Sequence, residues 1–157
     1  MKPHKVSIEY PEPLYSLFDT SRGGLPAIVV VNAALAEFAY RDVFPWHLSI
    51  ILKPQALAQN GMPTEAEYLM LDAIGDIIEE TVTGRRNAVF LARETWNGQR
   101  QLLFRVHDPE ITNCALTQLM EGSSQQRHWE FRMEHDGAWS LACPVLSLVE
   151  KASGSDA

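Results

Sequence analysis

Residues 88–106 read AVFLARETWNGQRQLLFRV, and the architecture follows from how they pair. Two runs rich in apolar side chains flank Asn97-Gly98. An Asn-Gly pair between such runs is the strongest short hairpin signal, because a type I′ turn needs φ > 0 at both central positions. A two-residue loop sets the register, so Trp96 should oppose Gln99, Thr95 should oppose Arg100 and Leu91 should oppose Phe104. Alternation then puts Val89, Leu91, Leu102, Phe104 and Val106 on one face. Phe90, Ala92, Glu94, Trp96, Gln101, Leu103 and Arg105 fall on the other.

Upstream of this hairpin lies the clearest helix. Thr64-Glu65-Ala66-Glu67 fits a capping box, with the Thr64 hydroxyl and the Glu67 carboxylate serving opposing backbone donors. Ala66, Leu69, Met70, Ala73, Ile74, Ile77, Ile78 and Val82 follow, with spacings drawn mainly from three- and four-residue steps, as the apolar stripe of a helix that ends at Gly84. Glu65, Asp72, Asp76, Glu79 and Glu80 fall mostly on its wet side. Before it, Trp46 to Lys53 alternates as a strand. After the hairpin, Asp108-Pro109 starts a second helix, with Ile111, Cys114, Ala115, Leu119 and Met120 as its buried stripe. Arg127 to His135 is a strand with Trp129, Phe131 and Met133 inward. Trp139 to Val149 is apolar but interrupted by Pro144, and its type stays open.

The order from Trp46 is strand, helix, strand, strand, helix, strand. It predicts an α+β, ferredoxin-like split βαβ sandwich with an antiparallel sheet and two helices on one face. The expected organisation is a single domain over 1–157. Its core is 46–135, with a C-terminal segment and tail over 136–157. Residues 1–45 form an N-terminal β-hairpin extension: Lys5 to Tyr10 and Pro26 to Val31 read as strands, with a turn at Arg22-Gly23-Gly24. Residues 32–44 stay ambiguous, short of Pro45.

The chain has 157 residues, 46% of them hydrophobic and 21% charged, the balance of a folded globular protein. Its formal charge of −7 argues against a phosphate-binding surface. No apolar run reaches membrane-spanning length or signal-peptide form, so a cytoplasmic location is expected. Cys114 and Cys143 sit in no metal-type or redox spacing.

By alternation the helix-free face should display His47, Ser49, Ile51, Phe90, Ala92, Trp96, Leu103 and Arg105, joined by His128, Glu130 and Arg132. That set is too apolar to stand fully wet without a reason. Either the Trp139–Val149 segment covers it, or it is a partner or dimer surface anchored by Trp96 and Arg105. The expected partner-binding residues are Phe90, Trp96, Leu103, Arg105, His47, His128 and Glu130. A metal on His47, His128 and Glu130 lacks any His-x-x-x-His or His-Glu-x-x-His spacing, so no metal or other cofactor is expected. No Gly-x-Ser-x-Gly elbow or glycine-rich phosphate loop is present. Phe90 and Trp96 suit base stacking on a sheet, but the Lys/Arg surplus that RNA binding requires is missing.

Several motifs occur in a distinctive order: Val31-Asn32, Tyr40-Arg41, Phe44-Pro45-Trp46, Asn60-Gly61-Met62-Pro63-Thr64, Glu94-Thr95-Trp96-Asn97-Gly98 with Arg100, and Asp136-Gly137-Ala138-Trp139. Over roughly Pro26 to Trp139 the chain resembles the bacterial family called domain of unknown function 695. That family is similar in architecture to the bacterial regulator of ribonuclease E activity, a small acidic protein that acts by binding an enzyme. The resemblance implies a ferredoxin-like domain without established catalysis, and it carries over no catalytic residues. A non-catalytic module that binds a protein, as a regulator or an immunity-type inhibitor, is the first expectation. The alternative is a small hydrolase or ligand-binding protein with a sheet-face pocket of His47, His128, Glu130 or Arg105. Arg41 and Arg100, beside turn motifs, are expected in structural ion pairs.

Overall fold

A computed structural model describes residues 10–122 and 126–154. The expected Lys5–Tyr10 strand lies almost wholly outside them, as does the end of the tail. The elements are β1 Tyr15–Arg22, β2 Leu25–Asn32, β3 Trp46–Leu52, α1 Glu65–Thr83, β4 Ala88–Trp96, β5 Gln99–Val106, α2 Pro109–Gly122, β6 Trp129–His135 and α3 Cys143–Gly154. All six strands form one antiparallel sheet in the order β1-β2-β4-β5-β3-β6. Short 3₁₀ turns at Ala33–Glu37, Arg41–Val43 and Ser140–Ala142 fill the connections.

The hairpin turns as expected at Asn97 (φ 46°) and Gly98 (φ 77°), and Trp96 pairs with Gln99 and Thr95 with Arg100. Further down, the register shifts at a β-bulge between Phe90 and Ala92, so Phe90, not Leu91, opposes Phe104. An extra residue in one strand reverses the facing of everything beyond it. Val89 and Leu91 therefore join Ala92 and Leu103 on one side. Phe90 crosses to the other, its ring 5.6 Å from that of Phe104. Asn32 supports the bulge by donating from Nδ2 to the Phe90 carbonyl.

Two cores result. α1 and α2 cover one face, over Leu48, Ile50 and Leu52 of β3 and Leu102, Phe104 and Val106 of β5. On the opposite face, Trp139, Ala142, Val145 and Leu146 pack over Val29, Val31, Leu91 and Leu103. The Pro144-interrupted segment is thus a helix. Pro144 lies in the first turn of α3, where a missing N–H costs nothing.

The helical stripes differ from expectation by a fraction of a turn. On α1 the buried positions are Glu67, Leu71, Ile78 and Val82, while Leu69 is 70% exposed and Ile77 55% exposed. On α2 they are Thr112 and Leu116, with Ile111 and Cys114 exposed. Asn87 holds Thr112 through Nδ2, which draws that polar side inward. The capping box is half formed: Thr64 Oγ1 accepts from the Glu67 N–H. The Glu67 carboxylate instead accepts from the Gln55 N–H and pairs with Arg127. β1 was not expected as a strand, for its Tyr15–Arg22 sequence alternates only weakly; it pairs with β2 around Gly23-Gly24.

Candidate functional site

Several of the distinctive motifs meet around two arginines of β5. Arg105 is fully buried. Its Nη1 donates to Asp136 Oδ2 at 2.9 Å, its Nη2 to the Asp136 carbonyl at 2.6 Å and its Nε to the Phe44 carbonyl. The guanidinium lies 4.5 Å from the Trp139 ring centre, and Arg41 stacks on the same ring at 5.1 Å. Trp139 Nε1 donates to the carbonyls of Arg41 and Phe44. Trp139 itself has φ 60°, a left-handed conformation uncommon for such a residue, and these contacts hold it there. Arg41 also caps the carbonyls of Leu35 and Ala36, so its role is structural, and among the described residues it forms no ion pair.

Electrostatics follow from this enclosure. Burial pushes the Asp136 carboxyl up. The Leu141 N–H, the Arg105 guanidinium and the Ser140 N–H together outweigh burial and hold it below the usual carboxylate range. His47 Nδ1 lies 3.3 Å from Arg105 Nη1. Burial first, then the Arg105 charge, lower His47 to about 4, so it is neutral at pH 7.

Arg100 anchors the other end of β5. Its Nη1 donates to Asp72 of α1 at 2.5 Å and its Nε to Thr95 Oγ1, and it lies over the Tyr68 ring at 5.1 Å. This is the expected structural ion pair with the acidic helix. Beside it the Asn60-Gly61 loop packs on the hairpin turn, the Gly98 N–H donating to the Gly61 carbonyl. Gly98 sits at φ 77°, where any side chain is strained, and a Cβ there would also approach Leu57 Cδ1 at 3.3 Å.

Of the seven residues expected on one surface, Phe90 crosses to the other side of the sheet, and the other six share the α3 side but differ in exposure. Leu103 and Arg105 are buried on the α3 side, and His47 keeps 8% of its surface. Phe90 faces α1, so it and Trp96 lie on opposite sides of the sheet. Trp96 Nε1 donates to the Arg22 carbonyl. His128 and Glu130 are exposed and 3.9 Å apart. His47 and Glu130 both line an open groove of about 500 Å³ with Ser49, Gln101, Arg132 and Leu141. Ser49 Oγ accepts from Gln101 Nε2. Arg132 pairs with Glu134. Among the described residues no cluster of three His, Cys, Asp or Glu side chains is arranged for a metal ion.

On the α1 side a second concavity, about 270 Å³, opens between α1 and the outer hairpin β1–β2. Tyr15, Val30, Phe90, Arg93, Asp76 and Glu79 line it. Next to it Leu17, paired with Val30, is 66% exposed on the edge strand. Asp76 and Glu79 form no ion pair within the described residues. Burial and the Asp76 charge raise the Glu79 carboxyl, with Arg93 opposing. Sequence periodicity missed this place because β1 carries half of it.

The chain matches the family of unknown function DUF695 over residues 16–143. It belongs to that family. The match includes all but the first residue of the sheet and all of α1 and α2, and it stops at the first residue of α3. No curated protein and no solved structure matches. No helix is long and apolar enough to cross a membrane among the described residues.

Proposed function

We propose that this chain is a non-catalytic, cytoplasmic bacterial module that binds a protein partner and acts as a regulator or immunity-type inhibitor. The observation that carries the reading is the exposed apolar edge at Leu14, Tyr15 and Leu17, 64%, 57% and 66% exposed. The opposite edge, β6, alternates Glu130, Arg132 and Glu134 outward, the charged pattern that blocks edge pairing. A domain that protects one edge and leaves the other apolar has a reason to keep it open. The chemistry-bearing residues support the reading too, for Arg100, Arg105, Asp136 and Glu67 are held by partners within the chain.

Residues 46–135 read best as a ferredoxin-like split βαβ unit. The order β4-β5-β3-β6, with both crossover helices on one face, supports it. The architectural likeness to the regulator of ribonuclease E activity belongs to this reading. Trp96, His128 and Glu130 keep exposed atoms and can make rim contacts.

A photoreactive residue at position 17, compared with one at Lys53, tests the binding role in the cell of origin. Adducts with a defined protein from position 17 alone are expected; equal labelling at both positions overturns it. A second reading is ligand binding in the groove that holds His47, Ser49 and Glu130. It predicts that a fragment screen yields ligands displaced by Ser49→Trp.

A further inference from the structure

We infer that the trough between α1 and the outer hairpin receives a basic amphipathic helix from the partner protein. The inference rests on the protein-binding reading and names the chemistry of the occupant. Two helices cover the α1 face of a six-stranded sheet. Strands are spaced about 4.8 Å apart and packed helices about 8–10 Å apart, so two helices cover about four strands. The cover falls over β4, β5, β3 and β6, and among the described residues no helix lies over β1 and β2 on that side. The bare width is about 10 Å, that of one more helix.

The floor of the trough is mostly apolar, with Asp19 of β1 and Thr95 and Arg93 of β4 opposite its apolar residues. Alternation from the observed pairs puts Tyr15, Leu17, Ile28 and Val30 on the α1 side, while Phe18 and Val29 go to the α3 core. Tyr15 already meets Phe90 edge-on at 6.0 Å. The wall is the acidic flank of α1. Asp72 is engaged by Arg100 and approached by Arg93, while Asp76 and Glu79 repel one another and form no ion pair among the described residues, with Arg93 attracting Glu79 at longer range. Burial also pushes the Tyr15 hydroxyl up, with the Glu79 charge adding to it, so the trough disfavours further negative charge. A mostly apolar floor beside a wall where Asp72, Asp76 and Glu79 outnumber Arg93 and Arg100 selects a helix with leucine-like anchors at i, i+3, i+4 and i+7, flanked by lysine or arginine. A second copy of this chain, at −7, lacks that complementarity.

The test uses the full chain with two synthetic eighteen-residue helices, one of Leu and Lys and one with every Lys replaced by Glu. Binding is read by calorimetry at physiological salt and by methyl NMR. The Leu/Lys helix is expected to shift Leu17, Ile28 and Val30 and to bind at least tenfold tighter than the Leu/Glu helix. The Asp76→Lys, Glu79→Lys double variant, with unchanged circular dichroism, is expected to lose at least tenfold for Leu/Lys only. Shifts elsewhere, or affinity indifferent to the double variant, overturn the inference. So does a trough that opens only when residues 1–9 are deleted, since this chain would then fill it. Self-association abolished by Leu17→Asp overturns the basic helix but leaves protein binding at the hairpin standing. If Leu17→Asp also leaves crosslinking from the same edge unchanged, both fall.

Discussion

Arg105 and Arg100 lie five residues apart on one strand, on opposite faces, and their surroundings differ in one respect. The carboxylate that Arg105 holds is buried, with Asp136 showing 9% of its side chain, whereas Asp72, held by Arg100, shows 47%. Burial presses both guanidiniums down, and in each case the paired carboxylate resists. At Arg105 both charges depend on each other. At Arg100 only the cation depends on its partner, because water can serve Asp72. The same contrast separates two parts of the sheet: α3 closes the face over β2, β4 and β5, and the outer hairpin leaves a trough open beside α1.

The largest effect is expected at the closed end. Arg105→Leu leaves Asp136 desolvated without its cation and frees Trp139 from the ring contact. Urea unfolding should show a loss of about 3–5 kcal/mol. A loss below about 1 kcal/mol, the range of exposed pairs, would mean that Asp136 is hydrated and the contrast false.

The Arg100 pair should then be lopsided. Asp72→Ala strands a buried cation beside Arg93, while Arg100→Leu strands a carboxylate that water reaches. The first should cost more than the second by about 1–2 kcal/mol in the same measurement. Equal costs would make the two ends of β5 equivalent.

Third comes pH. His47 has a folded value of about 4, below its ordinary 6.5. The unfolded chain therefore binds the extra proton between these values, and stability rises with pH across the window. It is fully present above pH 6.5 and lost as pH falls toward 4, at no more than about 1.4 kcal/mol per pH unit. His47→Gln should flatten that segment of a stability–pH curve. Asp136, whose folded value is depressed, adds a further loss in the same direction only below its ordinary range near 3.8.

The smallest effect belongs to the open side. The Glu79 carboxyl is raised, so its charged form costs stability once pH exceeds the ordinary 4.5. Glu79→Gln at pH 7 should stabilise by a few tenths of a kcal/mol, roughly the scale of a solvent-screened charge. Clear destabilisation would reveal a cation already seated there.

Much of the layout was legible in the chain. Asn97-Gly98 announced the hairpin because its backbone demand is local, and the strand–helix alternation from Trp46 announced the order of elements. The hidden parts were non-local. One extra residue near Leu91 reverses Phe90, and no local signal marks the bulge, because Val89, Phe90 and Leu91 are all apolar. The stripe of α1 rotated because Glu67 found Arg127, sixty residues away. The trough was invisible because its floor and wall come from elements that meet only in the folded sheet.

By itself, then, the sequence determined the α+β class, the central hairpin turn, the two crossover helices and the acidic character, each a matter of neighbours along the chain. The tertiary structure alone decided the bulge, the partial cover of one face by α3, the enclosure of Arg105 and the trough beside α1. Those depend on which side chains share a volume, and a periodic pattern records a face without recording what lies against it.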